Sequence, residues 1–177
     1  MHKLMTTSLF VLALSLPAAA QDAGAIARFM DADGQSVGDV TLTQSTTGVN
    51  ISGQLTSMTA GDHGLHFHET GSCDGATQFE SAGGHFNPTA HPHGLDNPQG
   101  PHSGDLPNVT STADGTTPVE LDTNLISLTE GLPGYVFDAD GTALVIHAGP
   151  DDYKTDPAGN SGDRVACAVI EPATATP

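Results

Sequence analysis

Histidine is concentrated in one part of this chain. Eight of its nine histidines lie between residues 63 and 147, most of them in the segments 63–68 and 85–102. Imidazole is the commonest metal-ligand side chain. His66 and His68 are separated by one residue, so on a β-strand both point to the same face. This spacing predicts a strand that offers two nitrogens to one metal ion, although a strand can also carry such a pair for solubility.

The histidines also suggest two kinds of ligand set. One set combines three imidazoles with a carboxylate, which suits tetrahedral zinc. Its members are His85, His93, His102 and Asp105. The other set contains only nitrogen ligands, which suits tetragonal Cu(II). Its members are His66, His68, His147 and one further imidazole.

Short segments with apolar residues at alternate positions predict an all-β fold. They are separated by turn signals rich in Gly, Asp and Pro, and no segment convincingly predicts a helix. The predicted strands are residues 26–30, 39–43, 49–55, 66–68, 107–111, 117–121, 143–147 and 164–170. We therefore expect an eight-stranded antiparallel Greek-key barrel or sandwich, immunoglobulin-like, with two long functional loops.

The two loops are residues 70–105 and 148–163. The first shows no periodicity, and a structureless loop of that length normally counts against a compact domain. Metal ligands and a disulfide would hold such a loop in place. Its length is therefore itself an argument for a structural ion.

The first 20 residues have the pattern of a secretory signal peptide. Lys3 is positively charged, residues 9–16 are apolar, and the alanines at 18–20 form a cleavage site. The apolar run is shorter than the roughly 20 residues that a membrane anchor needs. We expect a signal peptide at residues 1–20, one domain at residues 21–177, and a periplasmic or secreted protein.

Cys73 and Cys167 are the only two cysteines. In an exported protein a disulfide between them is the default expectation, with two buried free thiols as the alternative. A bridge across a loop of this length contributes about 4–5 kcal/mol in loop-entropy models.

The chain is strongly acidic. Its formal charge is −17, which becomes −18 when Lys3 leaves with the signal peptide. Arg28, Lys154 and Arg164 are then the only lysines and arginines. Nucleic acid and anionic membranes are therefore poor partners.

Five ordered motifs resemble the copper,zinc superoxide dismutase family, in its bacterial secreted branch. Together they span most of the mature chain, which makes the resemblance highly specific. The motifs are residues 64–69 (GLHFHE), 83–88 (GGHFNP), 102–107 (HSGDLP), 143–147 (ALVIH) and 159–167 (GNSGDRVAC).

The resemblance implies a copper site and a zinc site that share His85. The implied copper ligands are His66, His68, His85 and His147, and the implied zinc ligands are His85, His93, His102 and Asp105. It also implies that superoxide is the substrate and that His85 releases copper and takes up a proton during the cycle. We treat the fold and the function that this resemblance implies as expectations.

Further roles follow from the same resemblance. Arg164 would attract and position superoxide, and Asp151 would join a copper ligand to a zinc ligand by hydrogen bonds. Asp152, a neighbour of Asp151, remains an alternative for that role. His63 would be a buried histidine bonded to backbone rather than to metal. Between the two loop histidines, the spacing from His85 favours His93 over His91 as the zinc ligand.

Some functional questions stay open at this level. A non-catalytic metal-binding module is the alternative to the enzyme, and an acidic adhesion domain is a weaker one that leaves the ordered motifs unexplained. Residues 70–84 contain no lysine, so steering of superoxide is in doubt. We predict that repulsion from the net charge slows superoxide capture at low salt. A monomer and a homodimer are both compatible with the sequence.

Overall fold

The computed structural model describes residues 24–173, so the predicted signal peptide lies outside the described residues. The regular secondary structure of the described chain is almost entirely β-strand. Its strands are β1 (Gly24–Asp31), β2 (Ser36–Gln44), β3 (Val49–Leu55), β4 (Gly61–His63), β5 (Leu65–His68), β6 (Val109–Ser111), β7 (Thr117–Thr123), β8 (Ala143–His147) and β9 (Arg164–Pro172). Two single turns of 3₁₀-helix occupy Gly75–Thr77 and Glu80–Ala82.

Seven strands form one antiparallel sheet in the order β5-β8-β9-β1-β2-β3-β7, and β4 pairs with β6 in a second, two-stranded sheet. The predicted all-β antiparallel fold is confirmed. The prediction of eight strands missed β4, whose three residues are too few to show an alternating pattern. The β9–β1 pairing brings the two ends of the described chain together in the middle of the large sheet.

Alternation explains why β2 and β3 pair as they do. In β2, Val40 and Leu42 are buried while Asp39 and Thr41 are exposed. Leu42 lies opposite Ile51 of β3, which is also fully buried. A shift of one residue would move these apolar side chains to solvent, so the hydrophobic pattern determines the register.

The core also contains residues from a segment without strands. Ile126, Leu128 and Val136 lie between β7 and β8 and pack into the main hydrophobic cluster. The sequence made no prediction for this segment because its apolar residues follow no regular period. The segment therefore contributes apolar side chains to the core although its backbone is irregular.

The long loop after β5 is tied back to that strand. Three backbone hydrogen bonds of 2.8–2.9 Å connect them: the N–H of Phe67 donates to Gly104, that of Gly104 to Phe86, and that of Phe86 to Phe67. A Cβ atom at Gly104 would collide with the carbonyl oxygen of Phe67, so only glycine permits this approach.

The predicted disulfide is confirmed, with Cys73 and Cys167 joined at a Cα separation of 5.6 Å. Within residues 24–173, no helix is long and apolar enough to cross a membrane.

Candidate metal centre

Two adjacent strands carry three of the candidate ligands. β5 pairs with β8, and His66 and His68 lie opposite Val145 and Ala143. His147 ends β8 at a point where the pairing with β9 shifts register. All three histidines are buried. The alternation of a strand therefore brings His66 and His68 together, as the sequence predicted.

The loop joins β5 from its other side. Isolated antiparallel bridges place His85 opposite His68 and Asp105 opposite His66. Both ends of the irregular segment are thereby held against the strand that carries the His-x-His pair. These bridges bring together residues that lie 17 and 39 positions apart in the sequence.

Four imidazoles converge to form what we call the strand cluster. Its members are His66, His68, His85 and His147, whose ligand atoms lie within 4.8 Å of one another. One buried ring nitrogen of each lacks a hydrogen-bond partner among the described residues. These atoms are Nδ1 of His66 and Nε2 of His68, His85 and His147.

The opposite nitrogen of each of these rings has a partner. His68 donates to the carbonyl of Gly83 at 3.1 Å, and His147 donates to the carbonyl of Gly162 at 3.1 Å. Because those nitrogens carry the proton, the convergent nitrogens keep their lone pairs. Four buried, unpartnered nitrogens on side chains whose ligand atoms lie this close together fit a metal ion and are costly without one.

A second group, which we call the loop cluster, centres on Asp105. Its members are His85, His93, His102 and Asp105. Oδ1 of Asp105 lies 2.9, 3.0 and 3.5 Å from the Nδ1 atoms of the three imidazoles. Tetrahedral zinc with bonds of about 2.0–2.1 Å would place its ligands at roughly such separations. The donor set and its spacing therefore fit zinc.

The other carboxylate oxygen of Asp105 orders the loop backbone. Oδ2 accepts hydrogen bonds from the backbone N–H groups of Gly94 and His102, at 2.8 and 3.0 Å. Asp105 therefore fixes both ends of residues 94–102 while its first oxygen faces the histidines.

Asp151 connects the two clusters. His66 donates from Nε2 to one of its carboxylate oxygens at 2.8 Å, and His93 donates from Nε2 to the other at 3.0 Å. Asp151 is buried, whereas Asp152 is exposed and bonds to its own turn at Thr155. The structure thus brings Asp151, and not Asp152, to the position between the two sets.

Burial and charge act differently on the two clusters. Burial lowers the pKa of His85 to about 4, that of His147 to about 3, and that of His68 well below its usual value. Burial also opposes protonation of His93, but hydrogen bonds to Asp105 and Asp151 outweigh it and raise the pKa to about 9. Burial therefore favours neutral imidazoles at His68, His85 and His147, whereas the two carboxylates favour a positive charge at His93.

The remaining candidate histidines lie outside both clusters. His63 is buried, and its ring nitrogens face the carbonyl oxygens of His147 and Thr59 at 2.7 and 2.8 Å. His91 is exposed, while His93, two residues later, is fully buried between Asp105 and Asp151. The geometry agrees with the expected separation of His63 and His91 from the ligand sets.

Arg164 begins β9 and is held by the long loop. Its guanidinium donates to the carbonyls of Phe79 and Gly83, both at 2.6 Å. The carbonyl of Gly83 also accepts the hydrogen bond from His68. Arg164 and the strand cluster therefore share an anchor, which places this cation beside the histidines.

Three residues of the centre were not assigned a role from the sequence. Asn108 exchanges two hydrogen bonds of 2.9 Å with the backbone of Asp151. Its own N–H donates to the hydroxyl of Tyr153 at 2.7 Å. At Gly159, which has φ +61°, a Cβ would overlap the carboxylate of Asp151. No local pattern signals these contacts, although the positions of Asn108 and Gly159 inside or beside matched motifs could have drawn attention to them.

This geometry coincides with a family match. Residues 36–170 match the copper/zinc superoxide dismutase family (SODC), and the chain belongs to that family. The match includes every member of the two clusters as well as Asp151 and Arg164.

Individual relatives agree with the family. The chain is 42% identical to superoxide dismutase (Cu-Zn) 1 of Aquifex aeolicus, over 86% of this chain and 90% of that protein. It is 46% identical to superoxide dismutase (Cu-Zn) of Caulobacter vibrioides, over 78% and 80%. A crystal structure of a SOD-like protein from Bacillus subtilis superposes with a TM-score of 0.78 at 38% identity, covering 82% of this chain and 97% of that one.

Proposed function

We propose that this protein is a superoxide dismutase that binds copper at the strand cluster and zinc at the loop cluster. The observation that carries the proposal is the convergence of four buried imidazole nitrogens that have no other partner in the described chain. The adjacent carboxylate-containing set supports a second, different ion. The proposed copper ligands are His66, His68, His85 and His147, and the proposed zinc ligands are His85, His93, His102 and Asp105.

Copper supplies the one-electron exchange between Cu(II) and Cu(I), through which one superoxide is oxidised to O₂ and a second is reduced to hydrogen peroxide. His85 faces both sets, with Nε2 toward the strand cluster and Nδ1 toward Asp105. We assign to Nε2 of His85 the uptake and return of one of the two protons that hydrogen peroxide requires. The second proton comes from water.

The surrounding residues position these groups. Arg164, anchored by two carbonyls, would bind superoxide as the fixed positive charge beside the histidines. Asp151 would orient His66 and His93 through their Nε2–H groups, as carboxylates do for metal-bound imidazoles. His93, His102 and Asp105, with His85, would hold zinc and thereby close the loop that carries them.

We further propose that residues 1–20 are removed on export and that residues 21–177 form the mature domain. The disulfide supports an oxidising compartment, because such bonds persist in periplasmic and extracellular proteins. The mature protein would then act in the periplasm or outside the cell, as a monomer or homodimer.

The proposal is tested by superoxide decay in pulse radiolysis, using mature protein loaded with copper and zinc. The test variant is His147→Ala, and His91→Ala is the matched control because His91 is exposed. We expect fast catalytic decay in the wild type and in the control, and its loss in His147→Ala. Slow decay in fully loaded wild type would reject the enzyme and favour a non-catalytic metal-binding module.

A further inference from the structure

Arg164 binds the loop at two points that flank one exposed acidic residue. The carbonyls of Phe79 and Gly83 accept its hydrogen bonds, and the 3₁₀ turn Glu80–Ala82 lies between them. Glu80 is the first residue of that turn and is exposed, whereas Ala82 is buried. The local backbone therefore keeps Glu80 beside the carbonyls that hold the Arg164 guanidinium.

The Glu80 carboxylate influences Arg164 without neutralising it by contact. Burial lowers the pKa of Arg164, and the charge of Glu80 acts in the opposite direction. Yet no carboxylate in residues 24–173 lies within 4.0 Å of the Arg164 guanidinium, which leaves that cation without an ion pair there. Nor does the Glu80 side chain form a hydrogen bond or an ion pair in the described chain. By contrast, Glu69 at the start of the same loop accepts the N–H of Gly84 at 3.0 Å.

The other two fixed cations already have acidic partners. Arg28 forms an exposed ion pair with Glu171 at 2.8 Å, and Lys154 lies 3.8 Å from Asp96. Among the described lysines and arginines, only Arg164 therefore has no acidic partner within 4.0 Å.

We propose that Glu80 is a specificity-determining residue that reduces the preference of the Arg164 site for doubly charged anions over singly charged ones. This inference rests on the proposed role of Arg164 in binding superoxide. The energy of an anion in a fixed potential is proportional to its charge. A negative charge at Glu80 therefore weakens the binding of a dianion twice as much, in free energy, as that of a monoanion. Superoxide is a monoanion, so Glu80 weakens its binding less than that of a dianion such as sulfate.

The test compares four variants of the copper- and zinc-loaded mature protein. Glu80→Gln removes the charge, and Glu80→Asp retains it. Glu120→Gln is the matched control, because Glu120 is an exposed residue of β7 and its replacement changes the net charge equally. Arg164→Gln tests the role on which the inference rests.

Two quantities are measured at fixed ionic strength. One is the rate of superoxide decay with nitrate or sulfate as competitor, and the other is the dissociation constant of each anion from isothermal titration calorimetry. For Glu80→Gln we expect a rate about two- to threefold higher and nitrate binding about two- to threefold tighter, as for one charge at roughly 8 Å in water. Sulfate binding should tighten by the square of that factor, about four- to ninefold. Glu80→Asp and Glu120→Gln should both retain the wild-type ratio of sulfate to nitrate affinity.

The outcomes separate the inference from the proposed function. Equal effects of Glu80→Gln and Glu120→Gln, or equal gains for nitrate and sulfate, would overturn the role of Glu80. If Arg164→Gln leaves decay and anion binding unchanged, the proposed role of Arg164 fails, and the inference fails with it. A slow Arg164→Gln variant together with an unchanged anion ratio in Glu80→Gln rejects only the inference.

Repeating the wild-type decay measurement at several ionic strengths also tests the effect of the net charge. If repulsion from the mature charge of −18 dominates, the wild-type rate rises with ionic strength, because screening weakens repulsion over distances beyond about 10 Å. A rate that falls with ionic strength would mean that attraction by Arg164 dominates instead.

Discussion

The strand cluster and the loop cluster share His85 but are held in place in different ways. Three members of the strand cluster lie on β5 and β8, and β8 is paired on both sides by β5 and β9. In the loop cluster, His93 and His102 lie on a backbone without strand pairing, and Asp105 has only an isolated bridge to His66. They are connected through the carboxylate of Asp105, and His93 is also connected to Asp151. One site is therefore supported by the sheet, and the other by the side chains that form it.

The chemistry of the two clusters differs in the same sense. Burial keeps His68 and His147 neutral, so the strand cluster has lone pairs but no negative charge of its own. The loop cluster contains the carboxylate of Asp105. Burial would raise the pKa of this group, but hydrogen bonds from the surrounding imidazoles hold it far below its usual range. A buried anion needs a positive partner, whether a proton on His93 or a metal ion. We therefore expect the loop, more than the sheet, to depend on its ligands for stability.

Removal of Asp105 should produce the largest effect. Asp105→Ala deprives two imidazoles, those of His85 and His93, and two backbone N–H groups of their acceptor. We expect the free energy of unfolding of the metal-free protein to fall by about 3–5 kcal/mol, as when one partner of a buried pair is lost. Urea denaturation measures this change. Asp122→Ala, at an exposed position of β7, should cost less than about 0.5 kcal/mol. A loss below 1 kcal/mol for Asp105→Ala would contradict the view that its carboxylate organises the loop.

Loss of the disulfide should produce the next largest effect. In the double variant Cys73→Ser and Cys167→Ser, the loop that carries the Phe79 and Gly83 carbonyls loses its covalent attachment to β9. We expect the free energy of unfolding to fall by about 3–4 kcal/mol, because the unfolded chain gains freedom; this is less than the loop-entropy value because a reduced unfolded chain retains some structure. Urea denaturation with and without reductant provides the control: reductant should destabilise the wild type and leave the variant unchanged. Equal sensitivity of both proteins would show that the bridge does not support the loop.

Gly159 tests whether Asp151 needs the close approach that joins the clusters. At Gly159 an added Cβ would meet the Asp151 carboxylate, whereas Gly131 has φ +82° and no atom within 4 Å of an added Cβ. Both alanine substitutions incur the strain of a left-handed backbone, about 1 kcal/mol each. Gly159→Ala should cost about 1–2 kcal/mol more than Gly131→Ala, because it also displaces a buried carboxylate. The comparison is made by urea denaturation, and equal losses would mean that Asp151 moves without cost.

The smallest effect is expected at His91. His91 and His93 lie two residues apart on the same loop, but only His93 is buried between Asp105 and Asp151. His91→Ala should change stability by less than about 0.5 kcal/mol and leave zinc affinity unchanged. His93→Ala should weaken zinc binding strongly, because a ligand is lost. Competition with a chromophoric chelator measures both zinc affinities. Weaker zinc binding by His91→Ala would contradict the choice of His93 over His91 as the ligand.

Much of the sheet could be predicted from local pattern. The bounds of β3 and β8 agree with the residues 49–55 and 143–147 that the sequence predicts, because buried strands there have clear apolar residues and turn signals. β4 and the core residues of the segment between β7 and β8 were missed. Three residues are too short to show a period, and the second segment is apolar without being regular.

The candidate site was predictable to a different degree. The His-x-His pair follows from strand geometry alone. The family motifs contain His85, His102, Asp105 and His147, whereas His93 was favoured by its spacing from His85. The contacts of Asn108 and Gly159 with Asp151 were not predictable, because each joins residues that are distant or unpatterned in sequence. The anchoring of Arg164 by Phe79 and Gly83 depends on backbone carbonyls, which every residue possesses and no sequence motif can distinguish.

By itself, the sequence determined that this protein is a β-sheet domain with a histidine-rich metal centre and a disulfide. Those properties depend on residue type and short spacing, which the chain displays directly. Only the tertiary structure placed His93 rather than His91, and Asp151 rather than Asp152, among the buried groups of the centre. Each choice is between neighbours of identical chemistry. It depends on which side chain the folded loops bury, and burial is a property of the whole fold.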